Sequence, residues 1–274
     1  MARARQPRWL VSRVIRRFVA HYGVDLAEAE LPRSDDYPSF NAFFTRPLAP
    51  GARPLADSEL VCPADGVVSQ CGAIRDDLVF QAKGRHFSTR ELLGGDGARA
   101  AMFDNGVFAT IYLSPRDYHR VHMPTTGKLT ATSYIPGRLF SVNAATAAGV
   151  DRLFARNERL VCYFDGPRGP FALVLVGAMI VAGIQTVWAG QVAPPPRRQV
   201  TTDYTALPAP VSLQRGEEMG RFILGSTVVL LFPPRGPLLD PAYVPGAATR
   251  MGESLGTYAE SGEAITRAAF PSDA

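Results

Sequence analysis

Two hydrophobic periods run along this chain, a helical one near its start and an extended one through most of the rest. From Arg8 to Tyr22, Leu10, Val11, Val14, Ile15, Phe18, Val19 and Tyr22 fall on one face of a helix. Ser12, Arg13, Arg16, Arg17 and His21 fall on the other, and Pro7 and Gly23 punctuate the ends. Phe40, Phe43 and Phe44 follow, an aromatic patch that predicts docking of this helical part on the rest of the chain. Pro50, Gly51 and Pro54 then mark a boundary. Beyond it the pattern turns to short strands bounded by glycine and proline, at 60–62, 66–68, 79–81, 107–113 and 128–132. The prediction is an α+β protein, with residues 1–50 a helical segment and residues 51–274 a β-rich body of barrel or sandwich type.

Two apolar runs need separate treatment. Residues 171–184 carry no charge, but they fall short of the ~18 residues that a spanning helix needs, and Gly177 and Gly183 divide them. They predict two buried strands joined at a glycine, with a membrane span or a hairpin loop in the membrane as the alternative. The second run, Arg221 to Phe232, reads as one buried strand interrupted by Gly225-Ser226-Thr227. A core strand gains nothing from such a triplet, because glycine weakens it and buried hydroxyls cost free energy unless partnered. A bulge with two satisfied hydroxyls is one reading.

The other reading is chemical. Gly225 has no Cβ to shield its carbonyl from the neighbouring Ser226 hydroxyl, so a base and an oxyanion donor could turn the amide into an ester. Loss of the Ser226 Cα proton would then expel the upstream chain as a carboxylate and leave dehydroalanine, which hydrolyses to a pyruvoyl group. The bases available are few, since the chain has four histidines, and two of them, His119 and His122, share the block from Leu113 to Pro124. Either can equally be a surface or hydrogen-bonded histidine. Asp65, ahead of Gly66, is by residue type a turn former or the carboxylate that orients such a base. No third ligand stands near the two histidines, so no metal is expected.

Charge changes the picture only at the N-terminus. The net charge is +4, yet residues 1–17 hold Arg3, Arg5, Arg8, Arg13, Arg16 and Arg17 and no acid, so the excess belongs to the start of the chain. That argues against a basic groove for nucleic acid in the body and for an anionic surface met by the helix. With Trp9 near its start, the helix suits the plane of a bilayer, and Trp9, Val14, Ile15 and Phe18 are the expected contacts; packing on its own domain is the alternative. Cys62, Cys71 and Cys162 cannot all pair and lack metal-ligand spacing, which favours a reducing compartment.

Taken together, Phe40 to Arg46, Pro63-Ala64-Asp65-Gly66, Lys83-Gly84, Leu113 to Pro124, Pro136 to Asn143, Asn157-Glu158-Arg159, Val176-Gly177-Ala178 and Gly220 to Phe232 resemble the bacterial membrane-associated phosphatidylserine decarboxylases over nearly the whole chain. The resemblance implies self-cleavage between Gly225 and Ser226 into a β chain, 1–225, and an α chain, 226–274. The α chain would begin with a covalent pyruvoyl cofactor derived from Ser226. It also implies that Asp65, His122 and Ser226 form the processing triad, with Asp65 fixing the tautomer of His122, and that His119 serves decarboxylation. The pyruvoyl carbonyl would take the amine of phosphatidylserine as a Schiff base and release carbon dioxide and phosphatidylethanolamine. The implied setting is peripheral, on the cytoplasmic face of the bacterial membrane among anionic lipids, as a homo-oligomer, a dimer. Two rivals stand beside this: a serine hydrolase, which would lack the Gly-x-Ser-x-Gly elbow, and a non-catalytic membrane-bound β module.

Overall fold

The computed structural model describes residues 7–178, 183–192, 198–223 and 226–259, with Ser226 described by its backbone alone. Arg8–Tyr22 is helical, as its period predicts, and stops at Gly23, whose φ of 67° lets its N–H reach the Val19 carbonyl. The helix buries Val11 and Ile15 with Val24, Tyr37, Phe43 and Phe44 in a small apolar cluster. Its partner helix, Phe40–Phe44, is capped by Ser39, whose hydroxyl accepts the Ala42 N–H at 3.1 Å.

This packing divides the expected membrane face. Trp9 and Val14 are exposed, whereas Ile15 is fully buried and Phe18 half-buried among the rings of Tyr22, Phe40, Phe43 and Phe44. The expectation that Ile15 meets a bilayer is corrected. The aromatic patch supplies an apolar surface of its own, and the helix buries one side of its stripe there.

The body is built on a nine-stranded antiparallel sheet. Along it run Val200–Asp203, Gly127–Ile135, Arg159–Gly166, Gly169–Gly177, Ser226–Phe232, Val107–Leu113, Gly66–Ala73 and Ala248–Thr249, and Ser212–Leu213 also pairs with Gly127–Ile135. Among the described residues the two edges do not meet, so the body is layered rather than a closed barrel. A smaller sheet runs Gly190–Gln191, Ile184–Thr186, Glu218–Phe222, Arg120–His122. Its Val121, Ile184, Met219 and Phe222 join Val228, Leu230 and Phe232 in one core. Val229 and Leu231 point the other way, into a second core with Leu92, Leu153 and Phe154 from short helices. Period-two alternation with both faces covered is why Val228 to Phe232 is apolar at every position.

Both ambiguous apolar runs resolve as pairs of strands in different sheets. Residues 171–184 supply Gly169–Gly177 to the large sheet and Ile184–Thr186 to the small one, with 179–182 outside the described residues. The run from Arg221 to Phe232, read as one interrupted strand, is likewise two: Glu218–Phe222 in the small sheet and Ser226–Phe232 in the large one. No described helix is long and apolar enough to cross a membrane.

Candidate active site

Two stretches of chain connect these sheets. One leaves the large sheet at Leu113 and enters the small one at Arg120. The other leaves the small sheet at Phe222 and enters the large one at Ser226. They are tied at both ends, because Ser226 is in register with Leu113, and the Phe222 N–H donates to the His119 carbonyl at 3.0 Å. Ser226 is also in register with Gly177, and the Ile223 N–H reaches the Gly183 carbonyl at 3.0 Å. The loop that carries His119 therefore spans the same gap as the stretch that carries the expected scissile bond. Gly225 and the Ser226 side chain lie outside the described residues.

Asp117 shapes that loop by folding its carboxylate back onto Ser114, accepting the backbone N–H at 2.6 Å and the hydroxyl at 2.7 Å. Its carbonyl faces His119 Nδ1 at 2.8 Å, and a carbonyl can only accept, so the ring proton sits on Nδ1. His119 Nε2 is then a bare lone pair, buried and without a partner among the described residues. The Phe44 ring lies 4.0 Å from the imidazole, centroid to centroid. Burial pushes the His119 pKa down to about 3 with Arg46 adding to the fall, while the Asp117 hydrogen bond works against both. His119 is thus a neutral acceptor.

His122 is held differently. Its Nδ1 faces the Gly216 carbonyl at 2.8 Å and carries the proton there, and its Nε2 accepts the Tyr118 hydroxyl at 2.9 Å. Burial holds it below the ordinary histidine pKa, against the Gly216 hydrogen bond and the nearby Glu218 charge. A neutral ring with its lone pair on Nε2 has the form a general base requires.

The expected hydrogen bond between Asp65 and His122 is not formed. Both ring nitrogens have other partners, and Asp65 is engaged by Arg53, through Nε at 3.1 Å and Nη2 at 2.5 Å, and by the Met251 N–H at 2.8 Å. Arg53 also holds Glu28 at 2.7 Å, so the carboxylate fastens the helical segment to the body. Asp65 is nonetheless close by: the His122 N–H donates to the Pro63 carbonyl at 2.8 Å, and the Asp65 charge acts on His122 through space. Gly66, next along the chain, lets this strand lie close against Val107–Leu113, since a Cβ there would run into the Tyr112 carbonyl.

Sequence reasoning missed four contributors: Tyr118, the Gly216 carbonyl, Arg53 and Arg46. Arg46 is 3% exposed; its Nη2 reaches the Arg116 carbonyl at 3.0 Å, while Nε and Nη1 have no hydrogen-bond partner among the described residues. Burial lowers its pKa. With Asp65, Asp117, Tyr118, Arg53 and Arg250 it lines a cleft of about 280 Å³ between the helical segment and the body. Arg46 ends the Phe40 to Arg46 motif and Tyr118 sits beside His119, so both were within reach of a motif reading. Gly216 and Arg53 carried no signal.

Comparison with known proteins places this arrangement among relatives. A family model for phosphatidylserine decarboxylase matches residues 40–257. A phosphatidylserine decarboxylase proenzyme of Alcanivorax borkumensis is 57% identical over 261 residues, covering 94% of this chain and 89% of that protein. One of Methylibium petroleiphilum is 58% identical over 250 residues, covering 90% and 88%. One of a Polaromonas species is 56% identical over 259 residues, covering 93% and 91%.

Proposed function

The chain belongs to the phosphatidylserine decarboxylase family, and from that membership we propose that it cuts itself at Gly225-Ser226 and uses the pyruvoyl group so made to decarboxylate phosphatidylserine. The observation that carries this reading is the double crossing. Ser226 is pinned by its backbone between Leu113 and Gly177, and the loop that begins at Leu113 carries one neutral histidine, His119, across the same gap and leads into the strand that holds the second, His122.

In processing, the Ser226 hydroxyl attacks the Gly225 carbonyl and its proton passes to His122. The Gly216 carbonyl keeps the other ring proton on Nδ1 and so leaves Nε2 to receive it. The imidazolium returns that proton to the departing amine, and a later loss of the Ser226 Cα proton releases residues 1–225 as a carboxylate. The surroundings fit a pyruvoyl group at 226: the strand behind it is buried on both faces, and His119 Nε2 is an acceptor with no partner among the described residues. The group supplies a carbonyl that withdraws electrons from the bond to the leaving carboxylate. His119 Nε2 accepts a hydrogen bond from the substrate's amino group and so positions that nitrogen against residue 226.

Phosphatidylserine is a bilayer lipid, and Trp9 and Val14 on the exposed side of an arginine-bearing helix suit a peripheral position on the cytoplasmic leaflet. The helical segment 1–50 would then present head groups to the cleft beside it.

Denaturing mass measurement tests the core of this proposal. The purified protein should give two chains, 1–225 and 226–274, the second without a free amino terminus, and Ser226→Ala should give one chain of 274 residues. A single chain from the parent, or two from Ser226→Ala, overturns it.

A further inference from the structure

We propose that the Tyr118 hydroxyl is the proton relay of self-processing, the group through which the Ser226 proton reaches His122. This rests on the reading of His122 as the processing base.

The inference follows from how His122 is occupied. A neutral imidazole has one N–H and one lone pair. The N–H is committed to the Gly216 carbonyl at 2.8 Å, and the lone pair already accepts the Tyr118 hydroxyl at 2.9 Å. No incoming proton can land on Nε2 while that hydroxyl keeps its own proton and its place. Either the phenol moves out, or it hands its proton on and takes another.

Moving out is costly. Tyr118 is 5% exposed, and its ring lies 5.6 Å from the His122 ring, centroid to centroid. The backbone on both sides is pinned: Asp117 by its carboxylate to Ser114 and by its carbonyl to His119, and His119 by its own carbonyl to Phe222. A relay leaves the hydrogen bond between Tyr118 and His122 in place. As the Ser226 Oγ bonds to the Gly225 carbonyl carbon, its proton goes to Tyr118 Oη while the Tyr118 proton goes to His122 Nε2. Tyr118 is neutral before and after, His122 becomes imidazolium, and that proton then leaves with the amine released from the broken C–N bond. Burial pushes the phenol pKa up, so the hydroxyl keeps a proton to pass. The charges acting on the pair are Arg120, Glu218 and Asp65, with Arg221 acting on the phenol.

Tyr118→Phe removes the hydroxyl and keeps the ring. Freshly made precursor should then be cut ~100- to 10,000-fold more slowly, the usual share of a general acid-base group. A second measurement does not depend on cutting. In the uncut Ser226→Ala protein, followed by NMR of labelled histidine, adding Tyr118→Phe should raise the His122 titration midpoint, because the hydroxyl stabilises the neutral ring. A purely packing role for Tyr118 would leave that midpoint in place. Cutting at the parent rate with an unmoved midpoint overturns the relay, as does a raised midpoint without slower cutting. His122→Ala run alongside separates the two ideas: if it is cut at the parent rate, the reading of His122 as base fails, whereas uncut His122→Ala beside normally cut Tyr118→Phe removes only the relay.

Discussion

His119 and His122 lie three residues apart on one stretch, yet the fold gives them opposite surroundings. His119 is capped by an aromatic ring from the helical segment, and its Nε2 has no partner among the described residues. His122 sits in a polar frame where both nitrogens are engaged, by a backbone carbonyl and by a phenol. An acceptor without a partner is suited to a substrate that arrives later, and an acceptor already bridged is suited to a proton transfer within the chain itself. The role of each ring is set by what distant segments bring to it, Phe44 to the one and Gly216 to the other.

The largest effect that can break this comparison comes from removing each ring in turn. His122→Ala should accumulate uncut chain. His119→Ala should be cut and then lose carbon dioxide release by ~100- to 10,000-fold. Mass spectrometry of the purified variants reads the first outcome and a radiolabelled carboxylate assay the second. An uncut His119→Ala, or a cut one that decarboxylates at the parent rate, would mean the two surroundings do not divide the work.

Asp65 offers a sharper cut through the same comparison. If it orients His122 directly, Arg53→Met should be processed normally. If its work is the clamp to Arg53 and Glu28, Arg53→Met and Asp65→Asn should slow processing alike. Each should also destabilise the uncut Ser226→Ala protein by about 3–5 kcal/mol, the usual result of stranding one partner of a buried ion pair. The side chains of Arg53 and Asp65 are 6% and 11% exposed, which puts them in that class. Denaturant melts alongside a processing time course distinguish the two cases, and the geometry favours the clamp.

Much of this architecture was legible because it follows from periodicity. The Arg8–Tyr22 helix, the docking role of Phe43 and Phe44, and strands such as Val107–Leu113 all appear where burial repeats at a regular interval. The switch between sheets was not legible. A strand buried on both faces is apolar at every position, so hydropathy does not change where the chain passes from one sheet to another, and only glycines hinted at it, Gly177 and Gly183 in one run and Gly225 in the other. Ile15 was misread for a related reason: an apolar stripe records burial and not what it is buried against. The frame of His122 was out of reach because its contact with Gly216 spans 94 residues and uses a backbone carbonyl, which every residue has. Asp65 was singled out, but its partner Arg53 is one of many arginines, and composition alone cannot choose among them.

The smallest expected effect concerns the aromatic cap on His119. Its pKa of about 3 lies below the ordinary value of 6.5, and burial is the chief cause. The sign of the linkage follows. Above pH 6.5 both folded and unfolded chains hold the ring neutral, and its contribution to stability is complete. As pH falls from 6.5 towards 3 the unfolded chain takes up a proton that the folded one refuses, so stability is lost across that window. Phe44→Leu keeps an apolar side chain but withdraws the ring lying 4.0 Å from the imidazole, letting water nearer and raising the folded pKa. In the uncut Ser226→Ala background, the variant should therefore lose less stability than its parent between pH 6.5 and 4, even though it starts lower for want of packing. The measurement is a set of denaturant midpoints across that range, with His119→Phe as the reference in which this histidine no longer titrates. Parallel pH curves for Phe44→Leu and its parent would mean that the cap does not set the state of His119, and the contrast between the two rings would then rest on His122 alone.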